Sequence, residues 1–285
     1  WGSTNATTIA EKIFDSNDTN VAPDTPTADY RGFLDGPGGS PVPGNQISGS
    51  LTPTSTTLTA GATYEALGAL YVASGKTLVV PAGTVLRFHA AAKLVIDGSL
   101  QVQGTPSAPA VLTSPHTTPG KGDWTGIVVR SSATGVDIDN ARIEWAFRAV
   151  DVQAAVATIR NSIIQQFSTA GVAMTNSGTS SQILDNVFDN FTKVADGISL
   201  ASSSPVITGN HITRTNRALY MSGASNPVVS GNVLTGNNWG VYLFGNNSSS
   251  ETAVPVPVIN GNDIYLNTTA QLQANAYAAG NPATI

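Results

Sequence analysis

Residues 182–213, QILDNVFDNFTKVADGISLASSSPVITGNHIT, carry the pattern that decides the fold. An Asn sits in a short apolar phrase, LDNVF, and again in TGNHI, with a third phrase, DGISL, between them. Working outward, the Asn phrase recurs as IRNSI, SGNVL and NGNDI, so that Asn161, Asn186, Asn210, Asn232 and Asn262 follow one another at steps of 25, 24, 22 and 30 residues. A second series, Ile127, Val150, Val172, Ile198, Leu219, Val241 and Leu272, interleaves with it at steps of 23, 22, 26, 21, 22 and 31. Short apolar phrases repeating every 20–30 residues are the signature of a solenoid.

The phrases are too short to stand as independent strands. They alternate apolar and polar residues, as in TLVVPAGTVLRF (77–88) and KLVIDGSLQVQG (93–104), and break at Asn, Asp, Gly and Ser, which accept corner geometry cheaply. Helical periodicity is missing from Ala62 onward. An all-β stack of parallel coils is therefore expected over 62–285, with about nine or ten coils and a length of about 45 Å at about 4.8 Å per coil. The expected inward residues are Ile127, Val129, Ile143, Val150, Val152, Ile159, Ile163, Val172, Ile183, Val187, Ile198, Leu200, Val206, Ile212, Leu219, Val228, Val233, Val241 and Leu243. The five Asn side chains are expected to stack at one corner, each amide bonded to backbone and to the next Asn, because a buried amide without partners costs about 1–3 kcal/mol. A once-per-coil metal or sugar site is the competing reading of the same residues.

Only 11% of the 285 residues are charged, and the net charge is −5. A nucleic-acid partner would need a basic stripe, which this balance excludes. The chain has no Cys, so it holds no disulfide and no thiolate metal site. No apolar run is long enough to span a membrane as a helix. No cofactor and no metal site is expected, and His89, His116 and His211 are scattered.

On the phrases VPAGTVLRF, KLVIDGSLQVQGTPSAPAVLTS, GDWTGIVV and the Asn repeats, the chain resembles the right-handed parallel β-helix repeat proteins of bacterial surfaces, relatives in fold of pectin-degrading enzymes. The resemblance implies an extracellular or cell-surface location. The opening segment, WGSTNATTIAEKIFDSNDT followed by DYRGFLDGP, resembles the piece that normally closes such a helix at its C-terminal end, yet here it stands first. Thr7 or Thr8 is placed to cap a short helix, and Ile9, Ile13 and Phe14 would share one face of it. Residues 1–35 thus read as a helix and strap, 36–61 as a Gly-, Pro-, Ser- and Thr-rich linker, and 62–285 as the β-helix. The chain's end, as the family pattern runs, stops before a closing segment of its own.

Three functions are compatible with this reading. In the first, copies join head to tail as a filament or tandem surface array. Ile9, Ile13, Phe14, Tyr30, Phe33 and Leu34 of one copy cover Ile264, Leu266, Leu272 and Tyr277 of the preceding one. In the second, Tyr220 and Tyr242, one coil apart, form a surface for glycans with Trp239 and Phe244 nearby, while Trp124 and Trp145 supply further aromatics. In the third, a polysaccharide lyase or epimerase uses Asp189, Asp196, Arg214 and Arg217, with Asp185, Lys193, His211, Arg142 and Arg148 as further candidates. The plain alternative makes those charges solvated corner pairs worth about 0–1 kcal/mol each. Gly245–Pro257, Ser- and Pro-rich, is expected to bulge from the rod.

Overall fold

The computed structural model describes residues 45–245 and 254–275. The expected helix and strap, Tyr277, and the 246–253 part of the expected bulge lie outside the described residues. Within them the chain is all β, a parallel solenoid of short strands with no helix.

Each coil turns through three faces. The first is built from strands such as Ala141–Glu144, Ile163–Gln165 and Val187–Asp189. The second holds the longer strands Arg148–Gln153, Ala170–Thr175, Asp196–Ala201, Arg217–Ser222 and Trp239–Phe244. The third is a separate nine-stranded sheet. The ten-residue strand Thr63–Val72 passes through a corner without breaking. It pairs with Val85–Phe88 on the first face and Lys93–Ile96 on the second, which merges those two faces into one hydrogen-bonded sheet. Nine strands on the third face make eight steps, about 38 Å at about 4.8 Å each, somewhat shorter than expected.

The rod also begins earlier than expected. Gln46–Ser50 pairs with Thr63–Val72, and Ser55–Thr57 pairs with Thr77–Pro81, so the first coil lies inside the stretch read as linker. Its Ser and Thr residues suit a strand whose outer face meets water.

On the second face the register is the expected one. Ile127, Val150, Val172, Ile198, Leu219, Val241 and Leu272 pair in turn across successive coils. Elsewhere five expected core residues fall one position off. Ile164, Phe188, Ile207, Val229 and Leu234 point inward and are fully buried, whereas Ile163, Val187 and Val228 are exposed and Val206 and Val233 half-buried. The cause on the first face is the polar ladder residue at the corner, an Asn or, in one coil, Ser162. Its side chain turns into the rod, so the next residue must point out and the one after it in, as with Asn186, Val187 and Phe188.

The ladder itself forms with one member replaced. Backbone amides of Ser162, Asn186, Asn210 and Asn232 donate to the side-chain oxygens of Asn186, Asn210, Asn232 and Asn262 at 2.9–3.0 Å. The amides of Asn186, Asn210 and Asn232 also donate to the next Asn's oxygen and to a carbonyl of the preceding coil, as Asn210 does to Asn232 at 2.9 Å and to Ile183 at 2.8 Å. Asn161 is not in this column. It takes the left-handed corner position (φ 52°) that Asp185, Gly209, Gly231 and Gly261 hold in later coils, and its amide donates to Asp139 at 2.8 Å. Ser162 fills the ladder place, its hydroxyl accepting from the amide of Ala141. Gly209 suits this place because its φ of 71° is left-handed, the region that Asn161 and Asp185 occupy at the equivalent corners.

Two further ladders were not expected. Asn237 accepts from the amide and hydroxyl of Thr215, and Asn267 accepts from the amide of Asn237. Ser203 and Ser225 accept from the amides of Ser177 and Ser203 at the opposite end of the second face.

Candidate functional site

The second face brings the candidate charges together as pairs. Asp196 ends up beside Arg217 one coil on, in a two-pronged contact at 2.7 and 2.6 Å. Burial pulls against the charge of Arg217, but the hydrogen bonds and charge of Asp196 outweigh it and hold the guanidinium above its ordinary value. At the corner before this face, Arg214 grips Asp189 through two contacts, and those hydrogen bonds raise it too. Arg148 pairs with Asp151 at 3.2 Å, and Arg142 lies 3.5 Å from Glu144. Asp185 and Lys193 sit at left-handed corner positions, and His211 is exposed on the first face.

The same arginines cover aromatic rings. The Arg217 guanidinium lies 3.8 Å from the Tyr220 ring centre, and that of Arg214 lies 3.7 Å from Phe191. Tyr220 and Tyr242 stand opposite each other on adjacent coils with ring centres 6.0 Å apart. Phe244 lies 6.3 Å from Tyr220, and Trp239 meets Tyr242 edge-on at 5.8 Å. Trp124 belongs to the core instead. It is fully buried, stacked on Phe88 at 4.2 Å, and its indole donates to the carbonyl of Glu144. Trp145 takes a left-handed corner position.

Between Arg148 and Asp196 a shallow recess of about 180 Å³ opens over Ala170, Ala173, Ser199 and Ala201. Among the described residues no group of three His, Cys, Asp or Glu is placed to hold a metal ion, and no helix is long and apolar enough to cross a membrane.

The sequence reading missed Lys121. It lies in the 114–125 connection, whose length between two apolar phrases was the available signal. That loop is pinned by Asp123, which accepts from Ser114, His116 and the amide of Gly120. From it Lys121 reaches across to Asn190 and Thr192, in the corner that follows Asp189.

Two family models match the chain: a pectate-lyase like beta helix domain over residues 49–146, and a right handed beta helix region over residues 121–254. With the parallel coils described above, these matches show that the chain carries right-handed, pectate-lyase-like β-helix domains. No curated protein and no solved structure matches it.

Proposed function

We propose that this chain is a rod-forming structural module, working outside the cell, whose copies join end to end. The observation that carries this reading is the state of the last described coil. The inward columns are fully buried as far as Val229, Leu234 and Val241, but the next members, Ile259, Ile264 and Leu272, are only partly buried, and Leu266 is 75% exposed. Among the described residues no further strand pairs with this coil. A strand edge of this kind offers unpaired amide and carbonyl groups to another chain. The apolar residues of the opening segment, Ile9, Ile13, Phe14, Tyr30, Phe33 and Leu34, are the natural cover from a second copy. Such a contact between unlike surfaces propagates instead of closing.

The arrangement of the other candidates supports this choice. Asp189, Asp196, Arg214 and Arg217 are engaged with one another, and the Tyr220 ring is covered by Arg217. A second reading, glycan binding, draws on the recess beside Arg148 and on the half-exposed Trp239, Tyr242 and Phe244. Lyase or epimerase chemistry at the same face is the third.

The test is assembly of the full chain. Sedimentation and electron microscopy should show concentration-dependent rods for the wild type and monomers for Leu266→Lys, which changes an exposed residue and leaves the coil's inward column intact. Removing residues 1–35 should likewise leave a folded monomer. A wild type that stays monomeric at high concentration, or a charged-end variant that assembles equally well, would defeat the reading.

A further inference from the structure

We propose that Lys121 and Asn190 are joined by an amide bond formed between their side chains, a covalent clasp between the 114–125 loop and the corner that follows Val187–Asp189. The two groups already meet. The Lys121 amine lies 2.8 Å from the side-chain oxygen of Asn190 and 2.6 Å from the Thr192 hydroxyl, and it also contacts the Asn190 backbone carbonyl. Asn190 is fully buried, and its NH₂ group is one of few buried side-chain polar atoms among the described residues with no hydrogen-bond partner. Elsewhere along the rod buried corner amides are fully engaged, as in Asn186, Asn210, Asn232 and Asn237. An idle NH₂ in a buried site leaves its desolvation uncompensated. Leaving as ammonia removes that cost.

The placement suits the chemistry. The loop that carries Lys121 is held on both sides of it, by the amide of Gly120 on Asp123 and that of Gly122 on the carbonyl of Trp145 at 3.0 Å. The amine therefore meets the amide carbon as an intramolecular partner, where held geometry replaces concentration. Burial lowers the Lys121 amine below its ordinary value, against the opposing charge of Asp189, and so favours the neutral nucleophile. The lone pair of that nitrogen attacks the side-chain carbonyl carbon of Asn190, and the carbon–nitrogen bond to NH₂ breaks. Lysine ammonium and asparagine amide become a secondary amide and ammonium ion, so atoms and charge balance without an oxidant or cofactor. The Thr192 hydroxyl on the amine is the group placed to move a proton.

Mass spectrometry of the purified full chain decides it. The expected intact mass is that of the sequence less one ammonia, and a protease digest yields a branched peptide joining the Lys121 and Asn190 segments. Lys121→Arg should restore the full mass, as should Asn190→Ala. An unreduced mass with unlinked Lys121 overturns the proposal. So does ammonia loss confined to a single unbranched peptide, which marks cyclisation of an Asn on its own backbone.

Discussion

Asn186 places its backbone amide and its side-chain NH₂ on the same oxygen of Asn210, each at 3.0 Å. That doubled contact, repeated between Asn210 and Asn232 and between Asn232 and Asn262, ties each corner to the next without any exposed partner. Its energetic weight lies in what breaking it leaves behind.

Asn210→Ala removes the acceptor for two buried donors on Asn186 and so should cost about 2–6 kcal/mol, from about 1–3 kcal/mol for each unsatisfied group. Asn161→Gly, which keeps the left-handed corner outside the ladder, should cost less than about 1 kcal/mol. Urea unfolding of both variants measures the difference. Equal losses would refute the assignment of Ser162 to the ladder.

The inward parity of the first face is checked by a neighbouring pair. Phe188→Ala should destabilise by about 3–5 kcal/mol as a cavity opens. Val187→Ala, on the outer side, should change stability by about 0.5 kcal/mol or less. The reverse order would shift the strand by one residue.

Replacing Asp189, Asp196, Arg214 and Arg217 by Ala should leave assembly intact, since each pair is removed whole. Uronide cleavage or epimerisation by the wild type, lost in this variant, would move the function to the second face of the rod.

Acid should weaken the fold through Asp123. Burial alone would raise its carboxyl, but the hydrogen bonds from Gly120, Ser114 and His116 outweigh it and depress it below the ordinary carboxylate value. A depressed acid contributes stability in full above its unfolded value, about 3.9, and that contribution fades as pH falls through the lower folded value. Glu65, held down against burial by His89 and Arg87, acts in the same direction. Denaturant midpoints should therefore decline below about pH 4. Asp123→Asn should flatten that decline, and an unchanged slope would remove Asp123 from the account.

Much of this architecture was legible in the repeats. The column from Ile127 to Leu272 could be read because its phrases contain one unmistakable inward residue every second position, as in DGISL. Phrases such as NSII and NVF were ambiguous because β-branched residues occupy both faces, and only the inward turn of a polar residue sets the parity. Asn161 and Asn186 look alike in sequence, yet one sits at the left-handed corner and the other one place beyond it. Coil spacing brings Asp189 or Asp196 near Arg214 or Arg217, and the structure pairs Asp189 with Arg214 and Asp196 with Arg217. The contact of Lys121 with Asn190 could not be read this way, because it spans 69 residues through a loop that obeys no repeat.

The ladder bonds join like positions on successive coils, so they run along the length of the rod. Tension on the two ends of the rod would load every strand pair and every corner amide between two coils at once. Pulling on a chain terminus would instead peel one coil at a time, since each coil contacts only its neighbours. The molecule is built to resist stretching far better than fraying.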